Sequence, residues 1–564
     1  MLTMSPARTR TPIAAAHTLL ADPTLGAGNF LQRALAVNPA PNEPFLVAQH
    51  PSPGGNSAYS INDLVDLTRR GASWYHRAGV RPADPVGIYL DEGIGSFLQY
   101  LMLTSLGAIP VLVNGRMPAD IAADYLRFVG VIGVVGSPHH LRALTNKAGD
   151  PPHLSGFYIT ATEVEQATTA ELPASYPYEH DANDLVMLCH SSGTTGRPKA
   201  VMFGHRQFFL GKEHRLVTFA PSPEDRLLTA LPQSHSAGIS YLMTAVLLGL
   251  PTIVMADLRA PAIEHAMTEF RPSMVAAFPH VYAELATTGL KPDAAQHIHT
   301  WFNTGDSAHE AHVHQLIQLG HRPEENLPGS RFVDGLGASE LGMALFQRVS
   351  TPQTTTYDRC VGKPVDVVED AAALDDDGRA LPTGAVGALG VKSPTLTPGY
   401  WNDTLRTIKS RRRGYWLTGD QVYRDEEGRF FHLDRTQDVI TTSNGTIYSL
   451  PLEERLLLSC PDISDCAVIG VPVAPDSDEQ VPVAIVVPRP GSNADAVQLH
   501  ITANKALTAA GLPSLAATHI ATPEELPVGP TGKALKRQLR DHLAAGDISL
   551  LSSGFLQFTT SRNN

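Results

Sequence analysis

Nine consecutive residues, Ser191 to Lys199, have the side chains and spacing to hold a polyphosphate. They read Ser-Ser-Gly-Thr-Thr-Gly-Arg-Pro-Lys, so two hydroxyl pairs alternate with two glycines before a lysine. Glycines let backbone N–H groups come close to an anion, and the hydroxyls and the ammonium group add further donors. The segment differs from the common P-loop, because Arg197 and Pro198 separate Gly196 from Lys199. A turn-forming loop without a ligand is the alternative for these residues alone.

Three charged residues further along the chain can act on a nucleotide held by such a loop. Glu340 can bind the Mg²⁺ that accompanies ATP, since this metal takes one or two carboxylates together with phosphate oxygens. Asp420 can accept hydrogen bonds from both hydroxyls of a ribose. Lys533 ends a loop rich in proline and glycine, and a lysine directed at an α-phosphate lowers the barrier of adenylation electrostatically. A solvated surface charge is the alternative for each, and the favoured one for Glu340 and Asp420 taken alone.

These residues form part of an ordered set of motifs that resembles the adenylate-forming superfamily of acyl-CoA synthetases, peptide-synthetase adenylation domains and luciferases. The order and separations of the motifs are similar to those of the family, and the resemblance covers the chain from about residue 60 to residue 543. It implies an α/β fold, with a large N-terminal domain of mixed, largely parallel sheets with packed helices and a small mobile α+β C-terminal domain. The motifs after the phosphate loop are Leu336-Gly337-Ala338-Ser339-Glu340, Trp416-Leu417-Thr418-Gly419-Asp420, Asp434-Arg435 and Pro530-Thr531-Gly532-Lys533.

The resemblance also implies roles for individual residues. Lys533 is expected to be the catalytic lysine, Glu340 to bind Mg²⁺, and His235 to lie beside the acyl pocket and the active centre. Asp420 is expected to contact the ribose, and Arg435 the ribose or the phosphates. The phosphate loop and the adenine pocket are expected to use Ser191, Ser192, Gly193, Thr194, Thr195, Gly196, Lys199, Gly305, Asp306, Ser307, Asp334, Gly335, Leu336, Gly337 and Ser339.

Several positions depart from the family pattern or narrow it. Leu336 stands where the family usually has an aromatic residue against adenine, and leucine covers less of a purine face. Ser443 and Asn444 stand where acyl-CoA synthetases commonly have a Gly-Gly pair that lets a pantetheine thiol approach. His235, without an aspartate near it in the sequence, favours a plain carboxylic acid over an α-amino acid.

The function implied by the resemblance is ATP-dependent activation of a small-molecule carboxylic acid to acyl-AMP with release of pyrophosphate, followed by transfer to the thiol of CoA. The implied cofactors are ATP, Mg²⁺ and CoA or a phosphopantetheine thiol. Two alternatives stay open: an enzyme that stops at the adenylate or loads an acyl carrier protein, and a nucleotide-binding protein without catalysis. Small residues such as Ala237, Gly238 and Gly342 indicate room for a bulky acyl group or serve only turns.

Size and composition agree with a soluble enzyme of two or more domains. A chain of 564 residues is too long for one core, and 43% apolar with 18% charged residues is typical of globular proteins. The net charge of −13 argues against a nucleic-acid partner. The four cysteines form no Cys-x-x-Cys pair, and free buried thiols are favoured over a bridge between Cys460 and Cys466. With neither a signal peptide nor a membrane span predicted, the cytoplasm is the expected compartment, and both monomer and homodimer stay open.

The elements that must position the motifs are short apolar strands that alternate with helices, the pattern of an α/β protein. We predict an N-terminal domain over residues 1–434, a C-terminal domain over 435–548 and a tail over 549–564. His309 and His312 are predicted to be solvated, because their segment lacks the His-Glu-x-x-His pattern of a zinc site. The clearest predicted elements are helices at Leu64–Ala78 and Gly95–Gly107 and strands at Pro85–Tyr89, Ile109–Val113 and Leu185–Cys189.

Overall fold

The computed structural model describes residues 6–49, 56–145, 156–191, 198–219, 222–355, 358–474, 477–493, 495–529 and 534–545. Part of the predicted phosphate loop, the predicted catalytic lysine and the predicted tail lie outside the described residues. The site residues concerned are Ser192, Gly193, Thr194, Thr195, Gly196 and Lys533.

Helices and strands alternate along most of the described chain. The α-helices are α1 Pro6–Thr9, α2 Ile13–Leu20, α3 Phe30–Val37, α4 Ile61–Arg77, α5 Gly95–Thr104, α6 Ala119–Val129, α7 Pro138–Thr145, α8 Ala161–Glu165, α9 His205–Thr218, α10 Ser236–Leu248, α11 Ala260–Phe270, α12 Pro279–Thr288, α13 Pro292–Ala295, α14 Glu310–Ile317, α15 Thr404–Lys409, α16 Ser449–Ser459, α17 Ala496–Ala509 and α18 Lys536–Ala545. Short 3₁₀ turns lie at Ser339–Leu341 and Pro523–Glu525.

The strands are distributed over two large sheets, one small sheet and two short hairpins. They are β1 Leu46–Ala48, β2 Ser57–Tyr59, β3 Pro85–Tyr89, β4 Ile109–Val113, β5 Gly133–Gly136, β6 Phe157–Thr160, β7 Leu185–His190, β8 Ala200–Gly204, β9 Leu227–Thr229, β10 Thr252–Val254, β11 Met274–Ala277, β12 Thr300–Asn303, β13 His321–Arg322, β14 Leu327–Pro328, β15 Arg331–Gly337, β16 Ala344–Ser350, β17 Cys360–Pro364, β18 Asp370–Leu374, β19 Gly387–Lys392, β20 Arg411–Arg412, β21 Tyr415–Arg424, β22 Phe430–Arg435, β23 Ile440–Thr442, β24 Gly445–Ile447, β25 Ile463–Pro472, β26 Gln480–Pro488 and β27 Ala517–Ile520.

The largest sheet has 14 strands in the order β18-β19-β21-β22-β17-β16-β15-β12-β11-β9-β10-β1-β2, with β20 paired to β21. The run from β1 through β10, β9, β11 and β12 to β15 is parallel. From β15 to β18 neighbouring strands are antiparallel. The parallel run therefore aligns the carboxyl ends of several strands along one edge, and the loops after them can meet.

The second sheet has the order β6-β5-β3-β4-β7-β8 and is parallel except for the pairing of β7 with β8. Its inner strands are short runs of apolar residues, and all five residues of β4 are buried. Such continuous burial is typical of parallel strands covered on both faces. The predicted α/β fold is confirmed.

The last part of the described chain forms a smaller unit around β25, β26 and β27, with α16, α17 and α18 packed on them. Its core residues form clusters separate from the large core and begin at Ile440. The small α+β C-terminal unit expected from the sequence is present. The proposed boundary at 434/435 itself stays a prediction.

Local sequence signals explain where elements begin and end. Helix α4 starts at Ile61, three residues before the predicted start, because Ser60 and Asp63 form a reciprocal capping box. Strands β3 and β4 have the predicted bounds. All four cysteines are free and buried, as predicted. Within the described residues, no helix is long and apolar enough to span a bilayer.

One prediction about surface residues is wrong. His309 and His312 lie at and inside the start of α14, but they are partly or fully buried because the C-terminal unit covers them. His309 Nδ1 is 2.8 Å from Glu454 Oε2, and His312 Nε2 is 3.2 Å from the carbonyl oxygen of Ser464. A contact between distant parts of the chain cannot be predicted from the helical spacing of the two histidines.

Candidate active site

The predicted site residues collect where parallel strands end. His235 comes shortly after β9, Gly305 comes after β12, and Glu340 comes after β15. Ser191 comes directly after β7 of the six-stranded sheet. Open α/β sheets bind ligands in the crevice outside the carboxyl ends of their strands, so the topology itself places this group of loops at a binding site.

The loops surround a cavity, which we call the central cavity. Two more predicted residues, Asp306 and Ser307, line a neighbouring cavity that also contains Arg435. Gly335 lines a third, the side cavity described below. The predicted residues that line the central cavity are Ser191, Lys199, His235, Gly305, Gly337, Ser339, Glu340 and Arg435.

A buried tyrosine joins the lysine of the phosphate loop to the predicted metal ligand. Tyr400 Oη donates to Glu340 Oε1 at 2.9 Å, and Lys199 Nζ lies 3.5 Å from Tyr400 Oη and 3.9 Å from Glu340 Oε1. Burial lowers the pKa of Lys199, and the charge of Glu340 partly offsets that effect. Burial and then Glu340 raise the pKa of Tyr400, so the phenol keeps its proton and remains a donor. Sequence patterns indicate only a turn around Tyr400.

The carboxylate of Glu340 fits the requirements of a magnesium ion. It lines the central cavity beside Ser339, and its side chain is 13% exposed. Carboxylate and hydroxyl oxygens are the hard donors that Mg²⁺ prefers, and the ion usually keeps few protein ligands when phosphates supply the others. The residues present therefore suit a magnesium-bound triphosphate.

Asp420 and Arg435 face each other across β21 and β22. Arg435 Nη1 donates to Asp420 Oδ1 at 2.7 Å, and the charge of Asp420 raises the pKa of Arg435. His432, which the sequence analysis missed, lies 3.4 Å from the same oxygen and 3.9 Å from Asp306 Oδ1. It is 1% exposed, and neither ring nitrogen forms a hydrogen bond within the described residues. The sequence signal for it was a histidine between Phe431 and Leu433, two residues before the Asp434-Arg435 motif.

Asp334 holds the loop after β12 and does not line the central cavity. Its Oδ1 accepts from Asn303 Nδ2 at 2.5 Å, and both its oxygens lie 3.3 Å from the N–H of Ala308. Burial raises the pKa of Asp334 to about 6, against the opposing effect of these hydrogen bonds. Leu336 is 4% exposed and belongs to the large hydrophobic core. Contacts of Asp334 and Leu336 with adenine stay predictions.

Gly305 occupies a backbone conformation that suits glycine. Its φ is +90°, in the left-handed region, and a Cβ atom at this position would lie 3.0 Å from the ring of Phe278. The loop therefore needs glycine both for its backbone angle and for its approach to Phe278. This requirement agrees with the predicted role of Gly305 in bringing backbone close to a ligand.

His235 caps α10 and is fixed by its surroundings. Its Nδ1 accepts from the N–H of Ala237 at 3.1 Å, and its ring packs edge-on against Phe278 at a centroid distance of 5.1 Å. Because Nδ1 is the acceptor, the neutral ring carries its hydrogen on Nε2. His235 can therefore present a hydrogen-bond donor to a ligand in the central cavity.

The start of α18 lies beside the predicted site residues Asp306 and Arg435. Ala534, which directly follows Lys533 in the chain, lines the neighbouring cavity together with Asp306, Arg435 and Lys536. Lys536 is 8% exposed, with Nζ 2.8 Å from Glu453 Oε1. Lys536 is thus occupied by an ion pair inside the C-terminal unit.

A buried ionic network joins the C-terminal unit to the rest of the chain. Glu454 Oε2 is 2.8 Å from His309 Nδ1 and 3.2 Å from Arg359 Nη1, and Arg359 Nη2 donates to Ser307 Oγ at 2.6 Å. Burial alone would raise the pKa of Glu454, but the charges of His309 and Arg359 lower it to about 2. The network reaches the candidate site directly, since Ser307 is a predicted site residue.

The side cavity adjoins the central cavity, and Arg215 and Thr304 line both. Three aromatic rings, those of Phe219, Tyr241 and Phe302, form one part of its wall. The rings of Phe219 and Phe302 are 5.0 Å apart, and that of Tyr241 lies 6.4 Å from that of Phe302. A planar apolar group fits such walls. The sequence analysis named neither the aromatic residues nor Arg215.

Two family models together match most of the chain. The model of the family described as "AMP-binding enzyme" matches residues 32–401, and that of "AMP-binding enzyme C-terminal domain" matches residues 453–544. These ranges contain every predicted site residue except Asp420 and Arg435, which lie between them.

Individual relatives cover the chain nearly end to end. A 3-aminoavenalumate diazotase from Streptomyces sp is 38% identical over 93% of this chain and 97% of its own length. A feruloyl-CoA synthase from Amycolatopsis sp is 26% identical over 86% of this chain and 94% of its own. Among solved structures, an anthranilate CoA ligase in complex with anthranoyl-AMP has a similar fold, with a TM-score of 0.78, 20% identity and coverage of 93% of this chain and 98% of that one.

Proposed function

The chain belongs to the AMP-binding enzyme family of adenylate-forming proteins, and we propose that it uses ATP to activate nitrite for the diazotisation of an aromatic amine. Adenylation of an acid is the chemistry of the family. The identity of the acid, and of the group that receives the activated product, is the proposal. The observation that carries it is the 38% identity to a diazotase over nearly the full length of both chains, against 26% to a feruloyl-CoA synthase.

The proposed reaction balances without an oxidant or a reductant. A nitrite oxygen attacks the α-phosphorus of ATP, the bond to the β-phosphate oxygen breaks, and pyrophosphate leaves. The amine nitrogen then attacks the nitrogen of the nitrosyl adenylate, the N–O bond to AMP breaks, and one amine proton is released. The resulting N-nitrosamine takes up a proton and loses water to give the diazonium ion.

The residues of the central cavity suit the first step. Ser191, Lys199 and Arg435 surround the space with donors and positive charge, which favour a triphosphate and the charge that grows on its α-phosphate. Mg²⁺, when bound by Glu340, would neutralise phosphate charge. Tyr400 holds Lys199 and Glu340 in one arrangement.

The C-terminal loop is proposed to supply the catalytic lysine. This proposal is supported by Ala534, the residue after Lys533 in the chain, which lines a cavity with Asp306 and Arg435. We expect Lys533→Ala to reduce pyrophosphate release by roughly 10²–10³-fold, the typical loss of one electrostatic donor. The exposed Lys505 on α17 offers the matched control, and Lys505→Ala should keep full activity.

Diazotisation also accounts for the departure at Ser443 and Asn444. These residues lie at the turn between β23 and β24, where acyl-CoA synthetases commonly carry Gly-Gly for the approach of a thiol. An amine acceptor that reaches the adenylate through the side cavity needs no pantetheine tunnel. Side chains at 443 and 444 are then tolerated.

Acyl-CoA formation is the second candidate. It is supported by the match to a feruloyl-CoA synthase and by the likeness of the fold to an anthranilate CoA ligase. In that case a carboxylate takes the place of nitrite, and CoA or a carrier-protein thiol takes the place of the amine. Both candidates use the same nucleotide site and differ in acid and acceptor.

One assay separates the two candidates. The protein is incubated near pH 8 with ATP, Mg²⁺, nitrite and a panel of aromatic amines, and the diazonium product is trapped as an azo dye with 2-naphthol. In a parallel reaction, the protein is incubated with the same aromatic amines, or with matched aromatic acids, together with ATP, Mg²⁺ and CoA, and thioester formation is measured. We expect dye, AMP and pyrophosphate in equal amounts, and dye only when ATP is present. A thioester without any dye would reject diazotisation in favour of acyl-CoA formation.

A further inference from the structure

Helix α9 brings two basic side chains into the interior beside the substrate cavities. Lys212 is 2% exposed, and Arg215, one turn later, lines both the central and the side cavity. The guanidinium carbon of Arg215 stacks over the ring of Tyr241 at 3.9 Å from its centroid. Two cations on one helix face repel each other, and burying them is costly. Such an arrangement is expected where an anion binds.

The ammonium group of Lys212 contacts neutral groups of its own helix. Within the described residues, Lys212 Nζ donates to the carbonyl oxygen of Phe208 at 3.4 Å and lies over the ring of Phe208 at 2.9 Å, and it forms no ion pair with a carboxylate. Burial, and next the charge of Arg215, lower the pKa of Lys212. Of these two side chains, Arg215 is the one that lines the central and the side cavity.

The shape of the side cavity indicates what kind of anion it takes. Phe219, Tyr241 and Phe302 form an aromatic wall, and Gly335 packs so closely on Ala344 that a Cβ at 335 would lie 2.9 Å from that of Ala344. A flat ring suits these walls. A guanidinium group held in plane on Tyr241 can pair with both oxygens of a carboxylate.

We propose that the side cavity binds the aromatic substrate by a ring-borne carboxylate, which pairs with Arg215 and is not the group that is adenylated. This specificity site rests on the proposed function, because an acyl-CoA synthetase would consume the carboxylate itself. The amine then has one anchored orientation towards the central cavity. Nitrite is also a planar oxyanion that Arg215 could bind. The experiment distinguishes nitrite from an aromatic carboxylate as the partner of Arg215.

The test measures binding without turnover, in the presence of a non-hydrolysable ATP analogue. Dissociation constants are determined calorimetrically for 3-aminobenzoate and 4-aminobenzoate and for their methyl esters. The wild-type protein should prefer an acid to its ester by roughly 10- to 100-fold, the range of a charge-assisted bidentate pair. Arg215→Gln should bind acid and ester with about equal affinity, and Arg215→Lys should restore part of the preference for the acid. The exposed Arg142 on α7 is the control, since Arg142→Gln removes the same charge far from the cavities.

Thermal unfolding of the same variants separates a specificity role from a structural one. Loss of a buried cation should leave the melting temperature of Arg215→Gln unchanged or raised. A fall in melting temperature, together with an equal loss of affinity for acid and ester, would assign Arg215 to the fold and overturn the proposal. An unaltered acid preference in Arg215→Gln would also overturn it.

The remaining outcomes distinguish this inference from the proposed function. An unchanged KM for nitrite in Arg215→Gln supports the aromatic carboxylate as the partner. A raised KM for nitrite with the acid preference intact would mean that Arg215 binds nitrite, which contradicts the proposal. Azo dye formed by a wild-type protein without acid preference would overturn the carboxylate site and leave diazotisation standing. An acid preference without any dye would overturn both, because an enzyme that adenylates the carboxylate also prefers the acid to its ester.

Discussion

At the scale of single residues, the candidate site depends on groups that link one another. Lys199 and Glu340 come from distant motifs, and the Tyr400 hydroxyl lies between them with hydrogen bonds of 3.5 and 2.9 Å. A bound triphosphate would meet this preformed arrangement, so neither charged side chain needs to be ordered anew during the reaction. Preorganised charge of this kind is a main source of catalytic rate.

Substitution of Tyr400 by phenylalanine tests this linkage. The ring and its packing remain, while the donor to Glu340 and the acceptor from Lys199 are lost. Hydrogen bonds to charged groups contribute about 1.5–3 kcal/mol, so we expect pyrophosphate release to fall roughly 10- to 100-fold. The measurement is a steady-state pyrophosphate assay at saturating ATP.

Tyr158 on β6 provides the control for Tyr400, because it lies on the edge strand of the other sheet. Tyr158→Phe should keep the wild-type rate. A Tyr400→Phe protein with unchanged rate and unchanged KM for ATP would show that the hydroxyl does not organise the site.

At the scale of elements, the site is a product of strand direction. Residues after β9, β12 and β15 meet because these strands are parallel members of one sheet, and Ser191 joins them from the end of β7. The hydrogen bond between Asn303 and Asp334 and the positive φ of Gly305 determine the conformation of the loop after β12. A change in that loop should therefore affect the nucleotide more than the fold.

Gly305→Ala tests the role of this loop. The left-handed backbone costs alanine about 1–2 kcal/mol, and the new methyl group would press on Phe278. We expect a destabilisation of that size together with a clearly weaker affinity for ATP, determined by calorimetry and chemical denaturation.

Gly130 is the matched control for Gly305. It has φ of +80° at the end of α6, and nothing lies within 4 Å of an added Cβ. Gly130→Ala should lose similar stability and bind ATP like the wild type. If both variants bind ATP equally well, the loop after β12 does not shape the nucleotide site.

Sequence reasoning reached the elements and motifs but not the contacts between them. Strands such as β3 and β4 were predictable because a short apolar run of five residues indicates a buried strand without information from the rest of the chain. Tyr400, His432 and Arg215 were not, since each becomes part of the site only when separate strands and helices are brought together. The burial of His309 has the same origin, because the residue that covers it, Glu454, is 145 positions away.

At the scale of the whole molecule, the C-terminal unit is attached next to the nucleotide site by an ionic network. Glu454 pairs with His309 and Arg359, and Arg359 continues to Ser307. The family resemblance predicts that this unit moves between reaction steps. The ion pairs of this contact join distant parts of the chain and would have to be broken in such a movement.

The stability that this contact contributes should depend on pH. Burial acts to lower the pKa of His309, but the charge of Glu454 and the hydrogen bond to it together outweigh burial, so the pKa is raised above the ordinary value of 6.5. A group with a raised folded-state pKa contributes its full stabilisation below about 6.5 and loses it as the pH rises through the folded-state value. We therefore expect the difference in unfolding free energy between wild type and His309→Gln to shrink between pH 6 and pH 9. Urea denaturation across this range measures it.

His314 on the same helix gives the comparison for His309, because it is more exposed and its pKa is lowered by burial. The difference between wild type and His314→Gln should not shrink in the same direction. A His309 contribution that is constant from pH 6 to pH 9 would mean that the charged pair does not hold the C-terminal unit.

The most direct test of the central claim follows an oxygen atom from nitrite to AMP. Nitrite labelled with ¹⁸O is supplied with ATP, Mg²⁺ and an aromatic amine that the protein converts, and the AMP is analysed by mass spectrometry. If the site adenylates nitrite, each AMP formed carries one ¹⁸O in its phosphate group, because the nitrogen–oxygen bond breaks in the second step. Diazonium formed alongside unlabelled AMP would contradict the account.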